Sequence, residues 1–80
     1  MILRQAFLRD LPNEQEFYDY GARTDMQPVY YGHAPLGTAE STAKWVLFFF
    51  TYNDDGSIKK KFSLEGAWDQ RVNLFASYAV

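Results

Sequence analysis

The side chains in this chain whose types and spacing could do chemistry are His33, the pair Asp54-Asp55, the run Lys59-Lys60-Lys61 and the cluster Trp68-Asp69-Gln70-Arg71. His33 is the only histidine and titrates near neutral pH by default, so it is the natural candidate for a general base. It sits among glycine and proline and reads as a loop residue, with no nucleophile or orienting carboxylate at a recognisable spacing. Asp54-Asp55 followed by Gly56 resembles the start of a calcium loop, but the later oxygen ligands and the terminal glutamate are missing, and turn chemistry accounts for the pair. Lys59-Lys60-Lys61 beside aromatic rings could neutralise and stack on single-stranded nucleic acid. The same lysines also serve as a solvated strand edge that blocks unwanted pairing, which is the preferred reading.

Trp68-Asp69-Gln70-Arg71 is the most informative of these groups. Asp69 and Arg71 lie two apart and can pair with each other only if the backbone turns. A tryptophan beside a guanidinium also offers a cation-π contact. The preferred reading is a clamp that fixes the last strand; the functional version has Arg71 reaching an acidic residue on an adjacent subunit. No set of residues here supplies a catalytic constellation, a cofactor cradle or a metal site, so the expected protein is not an enzyme and carries no cofactor.

Elements must position these residues, and the chain is short. At 80 residues it makes one domain, and a chain this small buries only about 60% of its unfolded surface, so disulfides, a metal or partners usually add support. With no cysteine and one histidine, thiolate and imidazole-rich supports are unavailable, and partners are what remains. A hydrophobic fraction of 48% and an aromatic fraction of 19% place some rings at contacts with other chains. The net charge of −2 and pI near 5.1 disfavour general binding to nucleic acid or anionic membrane. The longest apolar run, Trp45 to Phe50, is strand-sized and far below the roughly 18 residues of a membrane span. The first residues lack the layout of a signal peptide.

Met1 to Asp10 carries Ile2, Leu3, Ala6 and Phe7 and reads as an arm or a short helix. Asn13 before Glu14, Gln15 and Glu16 predicts a cap and one or two helical turns through Tyr18, stopped at Gly21. Gly21 to Pro28 reads as loop, and Val29-Tyr30-Tyr31 as a short strand limited by Gly32 and Pro35. The strongest signal is a hairpin: Lys44 to Tyr52 outward, a turn at Asn53-Asp54-Asp55-Gly56, and Ser57 to Leu64 returning. In the returning strand Ile58, Lys60, Phe62 and Leu64 share one parity and Lys59, Lys61 and Ser63 the other. The outgoing strand has Trp45, Leu47 and Phe49 on one face and Val46, Phe48, Phe50 and Tyr52 on the other, so both faces call for burial. Val72 to Tyr78 reads as a last strand. The expected fold is mostly β: a small antiparallel barrel or sandwich of about four strands, with an arm or short helix over residues 1–28 and the compact β domain over 29–80.

The order of these features resembles a family of small virion proteins encoded by tailed bacteriophages. The pieces that carry the resemblance are Tyr30-Tyr31-Gly32-His33-Ala34, Gly37-Thr38-Ala39-Glu40-Ser41, Trp45 to Tyr52, Asn53-Asp54-Asp55-Gly56 and Trp68-Asp69-Gln70-Arg71-Val72-Asn73-Leu74. They cover about residues 29 to 75; Lys59-Lys60-Lys61 is more basic than the family pattern, and residues 1–28 have no counterpart in it. The resemblance implies a structural component of the virion (tail, neck, baseplate or capsid accessory), made in the bacterial host cytoplasm, with itself and other virion proteins as partners. Contacts are expected to centre on Trp45, Phe48, Phe50, Trp68, Asp69 and Arg71, because aromatic and arginine anchors usually dominate an interface. The competing expectation is a small β module that grips a host-surface glycan or single-stranded nucleic acid.

Overall fold

A computed structural model describes residues 13–78. The expected arm over Met1 to Asp10 lies outside the described residues. The described chain forms one antiparallel sheet of four strands in sequence order: β1 (Glu14–Asp19), β2 (Tyr30–Pro35), β3 (Trp45–Tyr52) and β4 (Ile58–Gly66). A 3-10 turn (Trp68–Gln70), a short helix α1 (Arg71–Leu74) and a second 3-10 turn (Ala76–Tyr78) follow. The domain is mostly β as expected, but the sheet is open and does not close into a barrel.

The hairpin of β3 and β4 forms where the alternation and the turn residues placed it. Gly56 takes φ +90°, a conformation glycine adopts without the usual steric cost. Trp45, Leu47 and Phe49 are buried on one face, at 0%, 0% and 7% exposure. Beside them in register lie Phe62 and Leu64 of β4, Gly32 and Tyr30 of β2, and Phe17 of β1.

Three local expectations give way. The helical turns expected from Asn13 to Tyr18 are instead β1. A helix of one or two turns is marginal by itself, whereas these six residues alternate: Gln15, Phe17 and Asp19 on the core face, Glu14, Glu16 and Tyr18 on the other, all paired with β2. Val72 to Tyr78 is helical, not a strand. After Gly66 the chain turns back over the sheet, so that Trp68 and Phe75 cover the core face; a fifth strand at the edge would have left Trp45, Leu47 and Phe49 uncovered. The strand expected at Val29-Tyr30-Tyr31 runs on through Gly32 to Pro35, which moves His33 from a loop into β2.

Gly32 shows why β2 tolerates a glycine at its centre. A Cβ there would lie 2.8 Å from Trp68 Cε3 and 3.0 Å from Leu47 Cδ2, and both neighbours are buried and cannot step aside. Gly32→Ala should therefore cost about 1–3 kcal/mol by overpacking. At Gly66 a Cβ would meet Leu74 Cδ1 at 2.6 Å, but Leu74 is 37% exposed and its side chain can swing away. Urea denaturation of Gly32→Ala and Gly66→Ala checks the contrast, with only the first expected to lose much stability.

Candidate functional site: an aromatic sheet face beside a buried clamp

The clamp is built on the core side. Trp68 is 6% exposed, with its ring 5.8 Å from Trp45 and 5.5 Å edge-on from Phe17 between centroids. The Arg71 guanidinium lies 4.3 Å from the Trp68 ring centroid and donates from Nη1 to the Trp68 carbonyl at 3.0 Å. Its ionic partner is Asp19 at the end of β1. Nε and Nη2 both donate to Asp19 Oδ2, at 3.1 and 2.8 Å, while the Gly21 N–H donates to Oδ1 at 2.9 Å. Asp69 is exposed and takes no part in this pair; its N–H donates to the Glu40 carbonyl at 3.1 Å. The cluster is thus a clamp within one chain that ties the C-terminal turns to β1. Trp45 belongs to the same core, with its indole N–H donating to the Ala39 carbonyl at 3.0 Å. Neither tryptophan presents the open surface expected of a contact anchor.

Partial burial pushes the Asp19 carboxyl up, but the Gly21 N–H and the Arg71 guanidinium outweigh it and hold the group below the ordinary carboxylate range. A carboxyl whose folded value is lowered contributes stability above its unfolded value of about 3.9 and loses it as pH falls through the folded value. Asp19→Asn should therefore be less stable than the wild type by about 2 kcal/mol at pH 7. The gap should narrow below about pH 4, where the wild-type carboxylate also becomes protonated. Urea denaturation at pH 7 and pH 2.5 measures both values.

The opposite face of the sheet is the candidate site. Tyr18, Tyr31, Phe48 and Ser63 lie side by side across the four strands, and Phe50 and Tyr52 continue along β3. Ring centroids are 5.1 Å apart for Tyr18 and Tyr31, 5.6 Å for Tyr31 and Phe48, 6.5 Å for Phe48 and Phe50, and 6.4 Å for Phe50 and Tyr52. Every ring in this row is half-buried. Trp68 and Phe75 pack on the other face; on this one the Arg23 guanidinium lies 3.8 Å over the Tyr52 ring and the Tyr52 hydroxyl donates to the Pro28 carbonyl, and no described strand or helix lies over Phe48 and Phe50.

No family model, curated protein or solved structure matches this chain.

Polar groups edge the aromatic row. The Tyr31 hydroxyl donates to Glu16 Oε2 at 2.7 Å, and burial together with that carboxylate pushes its ionisation far above the ordinary range. Glu16 Oε1 is buried and has no hydrogen-bond partner among the described residues. His33 Nδ1 lies 2.9 Å from Glu14 Oε1, and the His33 ring is 6.3 Å from Phe48. Lys61 Nζ stands 5.5 Å from the Phe48 centroid. Among the described residues no group of three or more His, Asp or Glu side chains could hold a metal ion. Chemically, the arrangement offers a contiguous row of stacked and tilted rings with an acidic side at β1 and a basic one at β4.

Of the residues singled out in the sequence, the structure brings Phe48 and Phe50 together on this face and places Trp45, Trp68 and Arg71 behind it. Tyr18, Tyr31, Glu16 and His33 were missed as members of the face. The signal that could have found Tyr18 and Glu16 was the period-two alternation from Glu14 to Asp19, which the acidic, helix-like start of the segment obscured.

Proposed function

We propose that this protein is a structural assembly part, present in many copies, that buries Phe48 and Phe50 against its neighbours. The observation that carries this reading is the side of β3 that holds Phe48 and Phe50. The same strand that buries Trp45, Leu47 and Phe49 under the C-terminal turns sets Phe48 and Phe50 on the other side with no described element over them. Contiguous apolar patches on small proteins mark interaction surfaces, and a few aromatic anchors carry most of the energy of such contacts. The ordered motifs between Tyr30 and Leu74 resemble the small virion proteins of tailed bacteriophages, and this supplies the setting: a component of the tail, neck, baseplate or capsid surface, joined to copies of itself and to other virion proteins. Phage particles are built with rotational symmetry, which suits repeated use of one contact.

One observation favours a second reading. Lys61 over the Phe48 ring is the pairing of charge and π-surface that single-stranded nucleic acid would use. Glu14 and Glu16 on the same face repel phosphate, so the assembly reading is preferred. Quantitative mass spectrometry of gradient-purified particles of the phage that encodes the chain tests it. Several or more copies per particle are expected. Particles free of the chain, together with salt-sensitive binding of an oligothymidylate by the purified protein, would favour the second reading instead.

A further inference from the structure

The two outer strands of the sheet carry opposite charge. β1 reads Glu-Gln-Glu-Phe-Tyr-Asp and β4 begins Ile-Lys-Lys-Lys, and each has a sheet neighbour on one side only among the described strands. We infer that β4 of one copy pairs antiparallel with β1 of the next, joining copies head to tail into a continuous sheet. The inference rests on the reading of the protein as a multi-copy assembly part and supplies the lateral contact that reading leaves open.

Direction fits first. Strands alternate in direction across the sheet, so with an even number of them a second copy in the same orientation presents β1 antiparallel to β4. The aromatic faces of successive copies then lie on one side and the C-terminal turns on the other. Charge selects the partner next. Two β4 edges would set Lys59, Lys60 and Lys61 against each other, and two β1 edges would set Glu14 and Glu16 against each other. Self-pairing of either edge is therefore penalised, and only the mixed pairing is attractive.

Register follows from the same residues. Glu16, His33, Val46 and Glu65 form one row across the sheet, so an unstaggered copy would place Glu65 opposite the next Glu16, two like charges. Slipping by four residues sets Lys61 opposite Glu16 and lays all of β1 along Ile58 to Ser63. Lys61 and Glu16 both belong to the aromatic face. A stagger of this kind is also what closing a sheet into a ring requires.

The test uses the full chain carrying Phe48→Thr and Phe50→Thr, so that contacts through the aromatic face are silenced and the edges are read alone. Sedimentation velocity in 50 mM NaCl should show mass that grows with protein concentration. Lys59→Glu with Lys61→Glu should leave monomer, as should Glu14→Lys with Glu16→Lys. An equimolar mixture of the two reversed chains should associate again, because each then meets an edge of opposite sign. The lysines are exposed, so the first reversed chain keeps its fold even if loss of the Glu16 to Tyr31 bond unsettles the second. A face-silenced chain that stays monomeric to millimolar concentration would overturn the inference. So would association that survives the lysine reversal unchanged. Either result leaves the aromatic-face reading standing, since that is measured on the unsilenced chain in high salt.

Discussion

Trp68→Ala is expected to leave the isolated domain largely unfolded near room temperature. The ring is 6% exposed and touches three parts of the fold at once: Trp45 and Phe17 across the sheet, the backbone at Gly32 where no Cβ intervenes, and the Arg71 guanidinium. Truncating a buried tryptophan to alanine costs about 3–5 kcal/mol. A domain of this length is stable by about 4–12 kcal/mol in total, and the small core cannot collapse around so large a void. The Arg71 to Asp19 pair would also lose the ring that shields it. Trp68→Phe should keep most of the core contact and stay folded. Far-UV circular dichroism through a urea titration distinguishes the two, and a cooperative transition in Trp68→Ala at wild-type urea concentration would contradict this account of the core.

The second large effect is on assembly. Phe48→Thr with Phe50→Thr should leave a folded chain that no longer forms a multimer in 1 M NaCl. Both rings are half-buried and stack on neighbours of the same face. Their loss should cost the single chain only about 1–3 kcal/mol, and threonine keeps the strand preference. In the proposed contact between copies the same two rings are the anchors, and removing two central anchors commonly lowers affinity by a factor of a thousand or more. The contrast with Trp68→Ala is the informative part: one change removes the fold, the other removes the contact and spares the fold. A double variant with wild-type mass in high salt would place the contact elsewhere.

Much of this was legible in the sequence because it rests on local pattern. The alternation in Trp45 to Tyr52 fixed β3, Asn53 to Gly56 marked the turn, and the parity of Phe62 and Leu64 identified the inner face of β4. The double-sided character of β3 singled out Phe48 and Phe50. What could not be read depends on pairing across long sequence distances. Arg71 was recognised as a clamp residue, but its partner Asp19 is 52 residues away and no spacing rule connects them. Trp45 and Phe48 have equal claims by composition, and only the C-terminal turns folding over one face decide that Trp45 is core. Those turns were misread because Val72 to Tyr78 alternates like a strand, and β1 was misread because Glu14, Gln15 and Glu16 look like the first turn of a helix. In both places tertiary pairing or covering overrides local preference.

The most direct measurement is the mass of the purified wild-type chain in solution, by light scattering coupled to size exclusion, in 0.1 M and 1 M NaCl. At 1 M the screening length falls to about 3 Å, so charged edges are silenced while apolar burial persists. A multimer at both salt concentrations, discrete at 1 M, is the predicted result, and it means that the Phe48 face is buried between copies. A monomer at every concentration in both salts would contradict self-assembly through that face.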